Sequence, residues 1–124
     1  LLYDTGHMAF SGGDVLKVID NHHKRISHVH VKDVRQKVVD NLDRSKESFL
    51  DAVIKGVFSV PGDGNLNFKA IVNRLAVYGY EGWFVVEAEQ DPVVNPPLQM
   101  AQLGHKELTK IMDDCGYEVE KLTL

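Results

Sequence analysis

The chain has 124 residues, 44% of them hydrophobic and 26% charged, which is enough for one domain with its own core and the balance of an ordinary globular protein. Its net charge is −4 and its basic residues are scattered, so a nucleic-acid partner, which would need a basic face to meet phosphates, is disfavoured. No apolar run approaches the roughly 20 residues of a membrane span, and the single cysteine, Cys115, rules out an internal disulfide and suits a reducing cytoplasm.

Leu1 to Thr5 predicts a short strand ending in the polar cluster Asp4-Thr5-Gly6-His7. Taken alone, Asp4-Thr5-Gly6 reads equally well as a turn. Ser11 to Asp14 predicts a capping loop, followed by a helix with Val15, Leu16 and Ile19 on one side and its end near His23 and Lys24. Ile26 to Lys32 alternates in period two, the pattern of a strand. Ile26, His28, His30 and Lys32 are expected on one face, with Ser27, Val29 and Val31 on the other. The polar stretch from Asp33 to Lys46 predicts a long loop with some helical turn. Phe49 to Lys55 predicts a short helix stopped by Gly56, and Val57 to Val60 a brief third strand. Pro61-Gly62-Asp63-Gly64 matches no complete phosphate-binding pattern and is expected to be a tight turn.

Asn67 is expected to cap a helix whose Phe68, Ile71, Val72, Leu75 and Ala76 follow helical spacing up to Gly79. Trp83 to Glu89 predicts a fourth strand. A final helix starts at Asn95-Pro96-Pro97, with Leu98, Ala101, Leu108, Ile111 and Met112 as its buried stripe. Strands alternating with helices imply βα units and a parallel sheet, hence the α/β class. About four such units fill only half of an eight-stranded (β/α)₈ TIM barrel of about 250 residues. The chain also opens on a strand without a methionine. The expectation is therefore the C-terminal half of one TIM-barrel domain over residues 1–116, with a loosely attached tail at 117–124. A half barrel exposes strand edges and apolar faces, so a homo-oligomer is expected of these residues alone.

In such barrels, functional side chains stand at the C-terminal ends of the strands. Those ends carry Asp4 and His7, then His28, His30, Lys32 and Asp33, then Glu87 and Glu89. Carboxylates and an imidazole converging from several strands suit a divalent cation such as Mn²⁺, Co²⁺ or Zn²⁺, which can polarise a substrate carbonyl. His28 reads as a packed neighbour of a ligand and His30 as a ligand. Lys32 reads either as a solvated strand-end lysine or as an acid or base. Glu87 and Glu89 share a strand face, so spacing does not choose between them.

Together these motifs resemble the xylose-isomerase-like barrel superfamily of sugar isomerases, epimerases and inositol-pathway enzymes. The resemblance is carried by Asp4-x-x-His7, by the second histidine of His28-x-His30, and by Gly82-Trp83 ahead of a strand ending in Glu87. It implies Asp4, His30 and Glu87 as metal ligands, and it alone prefers Glu87 over Glu89. Longer strings, Leu2 to His7, His28 to Val34, Val60 to Gly64 and Val86 to Pro92, resemble the inositol-pathway dehydratases of that superfamily over residues 1 to about 114. That resemblance implies a carbon–oxygen lyase acting on a cyclic polyol ketone, 2-keto-myo-inositol, with Mn²⁺ or Co²⁺ and without nucleic-acid or membrane partners. His7 and Lys32 are the acid/base candidates, with the choice of base between them left open, and His7, His28 and Glu89 the expected substrate-binding residues. The alternatives are a ketose isomerase or epimerase with the same metal and a half barrel without catalysis.

Overall fold

The computed structural model describes residues 1–120. Its largest sheet has three parallel strands in the order β1–β2–β5: β1 (Leu2–Asp4), β2 (His28–Val31) and β5 (Phe84–Val86). Asp4 stands opposite His30 on the first ladder, and His30 and Val31 stand opposite Val85 and Val86 on the second. Helices link these strands, as parallel pairing requires. α1 (Thr5–Phe10) and α2 (Val15–His22) join β1 to β2, and α5 (Phe68–Val77) lies between β2 and β5. α6 (Pro97–Asp114) follows β5.

Local sequence explains the helix starts. Asp14 caps α2 by accepting from the Leu16 and Lys17 amides, and Asn67 caps α5 by accepting from Ala70. The sheet face toward these helices is apolar. Tyr3, Val29 and Val31 pack there with Ile19 of α2, with Phe68, Ile71, Val72 and Leu75 of α5, and with Leu108 of α6. Each large aliphatic side chain buried this way stabilises the fold by roughly 1.5–3 kcal/mol. α6 comes close because its Gly104 has no side chain. A Cβ there would lie 2.7 Å from Val86 and 2.9 Å from Val60.

The α/β class and the parallel sheet match the expectation, but the unit count does not. Of the four expected strands, three join the parallel sheet. The segment at 57–60 contributes only β4 (Phe58–Ser59), which pairs antiparallel with β3 (Asp33–Val34). Between β3 and β4 run α3 (Gln36–Asp40) and α4 (Phe49–Ile54). The result is a long excursion at the C-terminal end of β2. It has its own core of Val34, Ala52, Val57 and Phe58, against which Ala9, Phe10 and Leu66 pack. α4 begins at a capping box in which Ser48 and Asp51 satisfy each other's backbone amides.

Other expectations need correction. Ile26 precedes β2 and is buried with Val29 and Val31, so the site-facing alternation begins at His28. Leu98 and Ala101 are exposed; α6 meets the core through the expected Leu108, Ile111 and Met112, and also through Gly104. Tyr117, expected in the tail, packs on Phe84 and donates its hydroxyl to the Tyr80 carbonyl at 3.0 Å. Residues 121–124 of that tail lie outside the described residues. Among the described residues, no helix is long and apolar enough to cross a membrane.

Candidate functional site

The polar face of the sheet gathers the charged residues. β1 ends at Asp4, whose carboxylate also caps α1 by accepting from the His7 amide at 2.9 Å. The expected polar cluster is thus the first turn of a helix, and that turn brings the His7 imidazole back over Asp4. Pairing on the ladder sets His30 beside Asp4, with Nδ1 3.6 Å from the Asp4 carboxylate. Glu87 follows directly on β5 and reaches His30 Nδ1 at 2.6 Å. One donor atom from each of Asp4, His30 and Glu87 lies within 4.8 Å of the others. Glu89 falls outside this group.

Lys32 stands one step beyond β2 on the same face, and its side chain is 1% exposed. The solvated reading of this lysine is therefore excluded. Its ammonium lies 3.4 Å from both Asp4 and Glu87, donates to Glu89 at 3.0 Å, and lies 2.8 Å from His7 Nε2. Burial alone would pull the lysine's pKa down. The hydrogen bond to Glu89 and the charges of Asp4, Glu87 and Glu89 outweigh it and hold the group above its ordinary value. Glu87 is shifted the other way. Its burial, which opposes ionisation, is outweighed by Lys32 and His30, which keep its carboxyl below the usual range. His7 Nε2 is 3.3 Å from Glu89, so His7, Lys32 and Glu89 form a second cluster against the first.

Two residues that the sequence reading left without a role position the lysine. The Thr5 hydroxyl accepts from the Lys32 amide at 3.0 Å and donates to the Lys32 carbonyl at 2.7 Å, which continues the β1–β2 pairing past Asp4. Gly6 makes room for the lysine stem, since a Cβ there would sit 2.5 Å from Lys32 Cγ. The excursion supplies an apolar wall. The Phe58 ring stands edge-on to His7 at 5.0 Å between centroids and 5.1 Å from the lysine Nζ, and Phe49 stacks on His7 at 5.8 Å. His28 lies beside His30, 5.5 Å between ring centroids, and outside the charged contacts among the described residues. Asp33 is buried. It holds the chain beyond β4 by accepting from the Leu66 amide at 2.9 Å, and burial raises its carboxyl despite its backbone donors.

This arrangement suits a divalent cation. Two carboxylate oxygens and an imidazole nitrogen converge on one point, which is a mixed donor set for a borderline-hard ion. Three carboxylates face one ammonium here, so negative charge is in surplus when the imidazoles are neutral.

Comparison with known proteins identifies what the chain is similar to. The model of a family described as xylose isomerase-like TIM barrel matches residues 1–111. The chain is 49% identical over 119 residues to the rhizopine catabolism protein MocC of Rhizobium meliloti, covering 96% of this chain and 37% of that protein. It is 53% identical over 116 residues to an inosose dehydratase of Geobacillus thermodenitrificans, covering 94% of this chain and 38% of the relative. An inosose dehydratase of Clostridium tetani is 54% identical over 106 residues, covering 86% and 36% respectively. The chain thus spans little more than a third of the length of these relatives.

Proposed function

The chain belongs to the xylose isomerase-like TIM barrel family, and from that premise we propose that it forms the metal-binding part of an inosose dehydratase. The reaction proposed is loss of water from 2-keto-myo-inositol (scyllo-inosose) to give a trihydroxycyclohexane-dione. The observation that carries the reading is the convergence of Asp4, His30 and Glu87 beside a buried, charge-paired Lys32. The names of the similar dehydratases supply the substrate.

In this reading Asp4, His30 and Glu87 hold a divalent cation, Mn²⁺ or Co²⁺, with Zn²⁺ also compatible with the donors. Held there, such a cation would supply Lewis-acid polarisation of the substrate ketone, which would acidify the neighbouring C–H. The remaining work falls to the second cluster. Dehydration takes one proton from carbon and delivers one to the departing hydroxyl. Lys32, held as an ammonium by its carboxylates, is the donor. His7, half-exposed at the mouth and accepting from Lys32, is the base, and Glu89 orients both. Phe58 and Phe49 exclude water from one side of His7. Cytoplasmic operation is part of the proposal and rests on the single cysteine.

The test uses a full-length protein carrying this sequence. Treatment with a chelator should abolish conversion of scyllo-inosose, and Mn²⁺ or Co²⁺ should restore it. Interconversion of free ketoses without dehydration would favour the isomerase alternative. Full dehydratase activity in a demonstrably metal-free preparation would overturn the proposal.

A further inference from the structure

Glu87 and Glu89 lie past Val86, the last residue of β5 and the partner of Val31. Beyond that point the segment is fixed through side chains, at two places on the excursion. Gln90 Nε2 donates to the Phe58 carbonyl at 3.2 Å and to the Ser59 hydroxyl at 3.4 Å. Five residues further on, the Asn95 side-chain oxygen accepts from the Arg35 guanidinium at 3.1 Å. The stretch between is a turn built on Asp91, whose carboxylate accepts from the Val93 amide and whose carbonyl accepts from the Asn95 amide.

Arg35 serves more than Asn95. The same guanidinium donates to the Gly56 carbonyl at 2.8 Å, to the Phe58 carbonyl at 3.3 Å and to the Asp63 carboxylate at 2.5 Å. Asp63 in turn accepts from the Ser59 hydroxyl. One side chain, rooted at the end of β3, therefore ties together β4, the turn that follows it and the loop beyond β5. Phe58, whose carbonyl it holds, is also the ring against His7 and Lys32. A planar group with five fixed donors can meet these acceptors together, whereas an ammonium offers three donors around one point.

We infer that Arg35 is a positioning residue of the site: through Asn95 it holds the Glu87–Glu89 segment against the β3–β4 pair and so fixes Glu87 beside Asp4 and His30. The inference rests on the proposed reading of Glu87 as a metal ligand.

Its test is calorimetric titration of metal-free, full-length protein with Mn²⁺, without substrate. Asn95→Ala and Arg35→Lys should each weaken Mn²⁺ binding about tenfold, the scale of losing a partner that orients a ligand. Asn95→Asp keeps an acceptor for the guanidinium and should bind as the wild type does. The thermal midpoint of metal-free Asn95→Ala should stay within about 4 °C of the wild type, which separates positioning from general destabilisation. Unchanged Mn²⁺ affinity in Asn95→Ala overturns the inference, and this variant decides the matter if Arg35→Lys fails to fold. A wild-type protein that takes up no Mn²⁺ is a different result, which overturns the proposed function and this inference with it.

Discussion

Asp4 and His30 face each other across the β1–β2 ladder, whereas Glu87 and Glu89 lie beyond the last paired residue of β5. The first pair is placed by backbone hydrogen bonds, continued past Asp4 by the Thr5 hydroxyl on Lys32. The second pair sits on a segment whose far end is held by Gln90, Asn95 and Arg35. Backbone pairing fixes a side chain as firmly as the sheet itself. A side-chain latch fixes it only while each of several polar groups stays in place. The two halves of the candidate site should therefore respond differently to substitution.

The largest effect is expected on the ladder side. His30→Ala removes a donor that the sheet holds in place, and among the described residues no other side chain of that strand joins the converging group. In the full-length protein, Mn²⁺ affinity should fall by more than the roughly 10–100-fold typical of an orienting partner, and turnover should vanish. Metal analysis after equilibrium dialysis reads this directly. A variant that still holds one equivalent of metal tightly would remove the ladder's privileged role.

Gly6→Ala tests how closely that side is built. The new methyl would meet Lys32 Cγ at 2.5 Å and Lys32 Cβ at 2.8 Å, where the buried stem has little freedom to move. Overpacking of this kind costs about 1–3 kcal/mol, which urea denaturation should detect together with reduced turnover. Wild-type stability in this variant would show that Lys32 is not clamped as described.

A smaller effect is expected from pH on the latch side. Burial opposes ionisation of Asp63, but the Ser59 hydroxyl and the Arg35 guanidinium outweigh it and hold the carboxyl below its ordinary 3.8. A lowered pKa in the folded state means that the ionised form stabilises the fold. That contribution is fully present above the unfolded value and is lost as pH falls from about 3.8 through the lowered folded value. The stability difference between wild type and Asp63→Asn, measured in urea, should therefore be constant near neutrality and shrink in acid below that value. A difference that stays the same into strong acid would contradict the ion pair.

Legibility in the sequence follows the same division. Period-two alternation from His28 to Lys32 and the capping residues Asp14 and Asn67 are local signals, and they locate β2, α2 and α5. They also bring Asp4, His30 and Lys32 to one face. The antiparallel pairing of β3 with β4 left no such trace, because strands of two residues are too short to show a period. Val57 to Val60 looks like a parallel strand in isolation, and only its pairing with Asp33 and Val34 makes it antiparallel. The Ser48-x-x-Asp51 box was a readable sign of α4's start. Arg35, by contrast, gains its role from acceptors 21 to 60 positions away, which no local pattern encodes.

The most direct test of the account compares the two glutamates by Mn²⁺ titration of metal-free, full-length protein. Glu87 shares the converging donor set with Asp4 and His30, while Glu89 bonds Lys32 and His7. Glu87→Gln should lose most of its Mn²⁺ affinity, and Glu89→Gln should keep it while losing turnover. Retained affinity in Glu87→Gln with loss in Glu89→Gln would contradict the account and move the metal to the second cluster.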